Sequence, residues 1–276
     1  MCLITVIVVT YNSSKTVIET LDSIKNQTYK DIELIVTDDC SKDDTVEKAN
    51  QWLEANSDRF LGHQLVTTSQ NTGVTGNLAR GIAAAHGSYY KEIAGDDILR
   101  PNAIEVFLNY LSEGIIYQAR VASFYDSDTA KIYMNKTDKF DEINKQFLKM
   151  DHKHQYNKLL KGNAIHAVGI GLIKTEDYKS VGGVEEKYSW IEDYPLWMKF
   201  SEAGYVFREI EDTLIDYRIS IKSISHEKPI GFLLDEARFF ADYRFGRLMK
   251  AGFFLDAIYK WIKYSMKIIY LKKCKK

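Results

Sequence analysis

Leu3-Ile4-Thr5-Val6-Ile7-Val8-Val9-Thr10-Tyr11-Asn12 is the stretch that decides the fold. A β-branched run breaking into a polar triplet reads as a buried parallel strand entering a loop. Ser13 or Ser14 can cap the helix expected over Thr16 to Asn26, where Val17, Leu21 and Ile24 recur at helical spacing. The same grammar then repeats. Ile32-Glu33-Leu34-Ile35-Val36 ends at Thr37-Asp38-Asp39, and a helical pattern covers residues 45–55. A third strand is expected near residues 65–68, then a Gly- and Asn-rich turn over residues 71–77 and a helix from Leu78 to His86. Residues 88–93 read as a fourth strand running into Ala94-Gly95-Asp96-Asp97. Four alternations of strand and helix mean βαβ units: an α/β fold with a mostly parallel central sheet flanked by helices.

The second half is less regular. Residues 118–160 give no assignment, residues 164–173 are expected as a strand and residues 181–184 as a turn. A helix follows Pro195, with Leu196, Phe200 and Ala203 on one face and Gly204 ending it. The last strand is expected over residues 214–219. No repeat or low-complexity linker interrupts the chain, so the body to about residue 225 reads as one domain.

Composition bounds the rest. With 276 residues, 45% of them hydrophobic and 27% charged, disordered and fibrous architectures are excluded. Cys2, Cys40 and Cys274 form no pairing or CxxC pattern, which disfavours a disulfide framework or structural zinc. The net charge of −1 argues against a nucleic-acid surface but hides an asymmetry. From Arg244 to the end there are ten Lys/Arg and one acid, Asp256, a net of +9 that leaves −10 for the rest. The opening run is too short for a signal peptide, and no apolar stretch approaches the ~20 residues that span a bilayer. A cytoplasmic location is expected.

Ligands of such sheets bind at the carboxyl ends of the strands, where Thr10-Tyr11-Asn12, Asp38-Asp39 and Asp96-Asp97 should converge. Each is individually also a common cap or turn. Adjacent carboxylates at Asp96-Asp97 repel unless a cation or sugar hydroxyls intervene. Oxygen ligands suit Mg2+ or Mn2+, usually shared with substrate phosphates. Residues 71–80 match neither GxxxxGK[ST] nor GxGxxG, although Arg80 could reach a diphosphate from its helix. Glu192-Asp193 precedes a helix among Tyr188, Trp190, Tyr194 and Trp197. Partial desolvation there would make a general base, while ordinary capping by an acid is the alternative.

Val8-Val9-Thr10-Tyr11-Asn12, Asp38-Asp39-Cys40-Ser41-Lys42-Asp43-Asp44-Thr45, Asn71-Thr72-Gly73, Ala94-Gly95-Asp96-Asp97 and Ile191-Glu192-Asp193-Tyr194 occur in this order. Over roughly residues 3–225 the chain resembles the family 2 glycosyltransferases of GT-A fold. The resemblance implies an inverting hexosyl- or N-acetylhexosaminyl-transferase using a nucleotide-sugar donor, with UDP the natural nucleotide. It implies a nucleotide site of Thr10, Tyr11, Asn12, Asp38, Asp39, Asn71, Gly73, Arg80 and Asp96, with Asp39 on the base and Arg80 near the diphosphate. It implies Mg2+ or Mn2+ at Asp96 and Asp97, and Asp193 as general base with Glu192 its companion. Residues 1–112 would hold the donor and residues 113–225 the acceptor, a glycan or lipid-linked hydroxyl as in bacterial surface polysaccharide. Two departures weaken the metal site. Ala94 replaces the first acid of Asp-x-Asp, and Ser220 replaces the histidine of Tyr-Arg-x-His, with His226 six residues on. A catalytically degenerate scaffold subunit and a nucleotidyltransferase are the alternatives.

Residues 226–276 read as a helical basic tail. Phe254, Ile258, Trp261, Ile262, Ser265 and Ile269 share one helical face; Lys260, Lys263 and Lys267 share another. That pattern fits an interfacial membrane helix, with polybasic residues near anionic lipid worth roughly 1 kcal/mol each. Packing on the domain or on a second subunit, in a homo-oligomer, is the alternative. The membrane reading places the protein peripherally at the inner face of the cell membrane.

Overall fold

The computed structural model describes residues 2–126, 137–220 and 229–274. The first half alternates as its pattern predicts: β1 (Ile4–Thr10), α1 (Val17–Lys25), β2 (Ile32–Asp38), α2 (Thr45–Ala55), β3 (Gly62–Thr67), α3 (Gly73–Ala84) and β4 (Tyr89–Ala94). Then come β5 (Ile98–Leu99), α4 (Ala103–Asn109), β6 (Ile115–Tyr125), α5 (Thr137–Leu148) and α6 (His152–Lys161). β7 (Ile173–Lys174), α7 (Thr175–Ser180), α8 (Asp193–Glu202) and β8 (Val206–Ile219) complete the body.

The main sheet has the order β3-β2-β1-β4-β7, parallel except for β7. Its strands bury alternate residues on opposite sides. Ile7 and Ile35 pack toward α3 and the second half, while Val6, Val8, Leu34 and Val36 pack toward α1 and α2. Burial on both faces is why these strands read as continuous apolar runs. Register brings their carboxyl ends level: Thr10 lies opposite Asp38, and Val9 opposite Ala94. A second sheet, β5-β8-β6, is built around a parallel β6–β8 pair.

Two sequence expectations are corrected. The expected turn over residues 71–77 is already helix from Gly73. The expected strand over residues 164–173 contains a 3₁₀ turn, Ala167–Gly169, a single bridge from Ile170 to Gln118 of β6, and the first residue of β7. That segment is apolar because it is buried against β6, where Gly171 N–H donates to the Tyr117 carbonyl, rather than because it pairs along its length.

The C-terminal part of the chain forms α9 (Ile230–Phe239), a π-helical stretch (Phe240–Arg244), α10 (Phe245–Lys250) and α11 (Phe254–Cys274). Phe239, Phe240 and Leu248 are buried in the same cluster as Tyr188, Tyr194 and Trp197. Buried Arg244 donates to the Leu160 carbonyl and stacks 4.8 Å over the Tyr194 ring. Side chains of that size contribute roughly 1.5–3 kcal/mol each when buried, a large share of a domain's stability. The segment to residue 250 is thus part of the packed body. α11 turns the other way: Phe254, Leu255, Ile258, Trp261, Ile262, Met266 and Ile269 are exposed. No helix among the described residues is long and apolar enough to cross a membrane.

Candidate active site

Asp39 organises the first half of the site. It directly follows β2, is buried, and its carboxylate accepts the amides of Thr72 and Gly73 at 2.7–3.0 Å. Those are orphan donors at the start of α3, so a residue more than thirty positions away caps the helix. Thr72 Oγ1 and Arg80 Nη2 donate to the same carboxylate at 2.8 and 2.7 Å. Arg80 therefore sits on Asp39 with only a quarter of its side chain exposed. Asn71 is exposed, and its Oδ1 accepts the Gly73 amide at 3.1 Å.

Asp38 does a neighbouring job. Its carboxylate accepts the Thr10 hydroxyl at 2.9 Å, the Ser41 hydroxyl at 2.5 Å and the Ser41 amide at 2.8 Å, tying the end of β1 to the loop after β2. Asn12 crosses the same gap, with its amide on Ser41 Oγ and its Oδ1 accepting the Lys42 amide. Asn12 and Cys40, the non-glycine residues with positive φ among the described residues, both lie here, at 54° and 67°. Such backbone persists only where the surroundings enforce it. Tyr11 stands half exposed at the rim.

Asp96 and Asp97 follow β4. Arg218 of β8 donates its amide to Asp97 Oδ1 and its Nε–H to the Asp96 carbonyl, both at 2.9 Å. Arg218 thus lies against the acid pair. Asp97 is buried and Asp96 half-buried. Burial, then repulsion from Asp96, pushes the Asp97 carboxyl up to about 8. Two crowded, desolvated carboxyls favour a cation that would share their charge. No group of three or more His, Cys, Asp or Glu among the described residues forms a complete metal cage. Asp96 and Asp97 could supply one or two carboxylates to a divalent ion that also bound substrate phosphates. His226 lies outside the described residues.

Glu192 and Asp193 stand at the start of α8, half-buried. Burial raises the Asp193 carboxyl, against the Tyr194 amide and a 3.0 Å hydrogen bond donated by Asn163. The buried Trp197 indole N–H has no hydrogen-bond partner among the described residues. Burial also drives Glu192 well up, reinforced by Asp193 and Glu92. Glu92, on β4, is a third acid in this field and is pushed up to about 7, chiefly by burial. Neither Asn163 nor Glu92 was expected from motifs. Glu92 carried a signal nonetheless, because Lys91-Glu92 puts two charges into a central strand.

The two acidic regions meet through α3. The Thr75 hydroxyl donates to the Tyr188 carbonyl at 2.5 Å, and its amide to the Ser189 carbonyl at 3.4 Å. Gly73, at φ 85°, approaches Ser189 so closely that an added Cβ would lie 2.2 Å from its carbonyl oxygen. Only glycine fits that conformation and that gap.

Comparison with known proteins agrees with this architecture. The family model described as Glycosyl transferase family 2 matches residues 5–169. An uncharacterized glycosyltransferase of Rickettsia typhi is 28% identical over 236 residues, 82% of this chain and 64% of its own length. A putative glycosyltransferase, EpsE, of Bacillus subtilis is 25% identical over 217 residues, covering 78% of this chain and 72% of its own. This chain thus spans just under two thirds of the Rickettsia relative. Among solved structures, S. aureus TarS 1–349 in complex with UDP-GlcNAc superposes with a TM-score of 0.63 at 16% identity, covering 87% of this chain and 66% of its own. The mannosyltransferase PcManGT of Pyrobaculum calidifontis, in complex with GDP-Man and Mn2+, gives 0.60 at 19%, covering 87% and 64%. The fold is of the GT-A type.

Proposed function

Since this chain belongs to glycosyl transferase family 2, we propose that it moves a hexosyl or N-acetylhexosaminyl unit from a nucleoside diphosphate sugar, with UDP the first candidate, to a hydroxyl of a glycan or lipid-linked acceptor, with inversion. The observation that carries this reading is the junction at Gly73, Thr75 and Ser189, which sets the hydrogen-bond network of Asp39 against the loop of a desolvated carboxylate, Asp193. A base held beside a donor pocket is the arrangement that single displacement requires.

In this reading Thr10, Tyr11, Asn12 and Asp39 face the nucleobase, with Asn71 and Gly73 along its edge and Asp38 fixing the strand ends. Arg80 serves through Asp39, which it holds in place. Asp96 and Asp97 would hold Mg2+ or Mn2+, whose charge stabilises the departing diphosphate. Asp193 takes the proton of the acceptor hydroxyl as that oxygen bonds to the anomeric carbon, and the bond to the diphosphate breaks with its electron pair leaving on the nucleotide. Positioned bases of this kind are typically worth ~10²–10⁴-fold. Asp193→Asn should cut turnover by about that factor while titrated UDP binds within about twofold of wild type. Undiminished turnover would remove Asp193 from the role.

The location belongs to the same proposal. α11 presents its apolar face outward, while Lys267 turns inward to Glu236 at 3.6 Å and Lys260 is half-buried near Arg244, Asp256 and Glu236. Exposed Lys263 and the Lys272-Lys273 and Lys275-Lys276 pairs of the sequence complement an anionic bilayer. The fit is a helix lying in the cytoplasmic face of the membrane, inserted by its apolar side chains and holding the enzyme beside a lipid-linked acceptor.

A further inference from the structure

The loop that carries Glu192 and Asp193 is gripped from a second side. On α9, Gly231, Asp235 and Phe239 are spaced four residues apart and share one face. All three meet the aromatic loop just before and after the acids. The Trp190 amide donates to Asp235 Oδ2 at 3.1 Å, and Asp235 is only 4% exposed. Gly231 lies against the Trp190 indole so tightly that an added Cβ would fall 2.2 Å from Nε1. The Phe239 ring meets those of Tyr188 and Tyr194 edge-on, at 5.5 and 5.1 Å. From the opposite side Thr75 binds Tyr188 and Ser189, as described above. The loop is therefore held both by α3 and by a helix to which no motif assigns a role.

We propose that Asp235, with Gly231, is a positioning residue for the acid loop, setting where the Asp193 carboxylate stands relative to the donor. This inference rests on Asp193 being the base. Arg238, one turn along, lies 3.5 Å from Asp235 Oδ1 and is well exposed, so the buried carboxylate's strongest tie is the Trp190 amide. A displacement of about 1 Å at a reacting group can cost on the order of 10² in rate, which makes the hydrogen bond consequential although Asp235 touches no reactant.

The test uses the full chain, Mn2+ and the member of a panel of UDP- and GDP-hexoses that the wild type hydrolyses fastest, followed as released nucleotide. Asp235→Ala should lower kcat about 10–100-fold with the donor KM within twofold. Asp235→Asn keeps an acceptor oxygen for the Trp190 amide and should stay within about threefold of wild type. Gly231→Ala, which pushes the indole without touching a charge, should repeat the kcat loss with the same donor KM, and carries the test if Asp235→Ala does not fold. Full kcat in Asp235→Ala or Gly231→Ala, an equal fall in Asp235→Asn, or a loss confined to KM would overturn the proposal. Asp193→Asn run in parallel separates the two claims. If it is inactive while Asp235→Ala is fully active, positioning alone fails. If it is fully active, or the wild type hydrolyses no donor, the premise fails.

Discussion

Glu92 occupies a position on β4 where a central parallel strand ordinarily carries an apolar side chain. Burial, with Lys91 partly offsetting and Asp193 adding, pushes its carboxyl up to about 7 from an ordinary value of 4.5. The folded chain thus holds this proton more tightly than the unfolded one. Stability linked to Glu92 is complete below about 4.5, falls as pH rises toward 7, and is then level. Glu92→Gln should accordingly raise the melting temperature at pH 8, by progressively less as pH drops to 4.5. Calorimetry at the two pH values checks this, and an equal gain at both would contradict it. Asp39 makes the companion case. Asp39→Ala removes the carboxylate that accepts the Thr72 and Gly73 amides and pairs with Arg80. It should cost about 1–3 kcal/mol in urea unfolding and lose UDP binding in the same preparation. Retained UDP affinity would detach Asp39 from the nucleotide.

Elements were legible in proportion to how locally they are specified. β1, β2, α2 and β4 announce themselves by period and by the polar residues that end them, and their level ends follow from parallel pairing. α3 begins at Gly73 rather than Leu78 because its cap, Asp39, comes from another strand, which no local pattern of Gly and Asn can reveal. β6 was hidden for a similar reason. Its Gln118 is polar yet buried, exchanging hydrogen bonds with Asn144 of α5, so the strand loses its apolar signature to a partner 26 residues away. The acid pairs were visible as motifs, whereas Asn163 on Asp193 and Asp235 on Trp190 exist only through tertiary contact. The same contrast divides the C-terminal helices. A chain ending at residue 243 loses Arg244 and Leu248 from the packed cluster and should unfold cooperatively at a markedly lower temperature than full length. One ending at residue 253 keeps both and should retain most of the melting temperature. Equal melting of the two truncations would contradict this account.

At the scale of the molecule, the net charge of −1 conceals an acidic body and a basic end, and the structure sharpens what that end does. Lys260 and Lys267 face the body, so attachment to a bilayer should depend on inserted apolar side chains more than on those two charges. Ile258→Glu combined with Trp261→Glu alters side chains 48% and 55% exposed and should leave the fold intact. It should abolish co-sedimentation with anionic liposomes, while Lys267→Gln should change it little. Persistent pelleting of the double variant would contradict membrane insertion. Above all stands the chemistry proposed for Asp39, Asp96 and Asp193. Its most direct test is proton NMR of the full chain with α-linked UDP- and GDP-hexoses and Mn2+, watching the anomeric signal as nucleotide is released to water. The account predicts release from at least one donor with the β-sugar appearing first. No release from any donor, or the α-sugar appearing first, would contradict it.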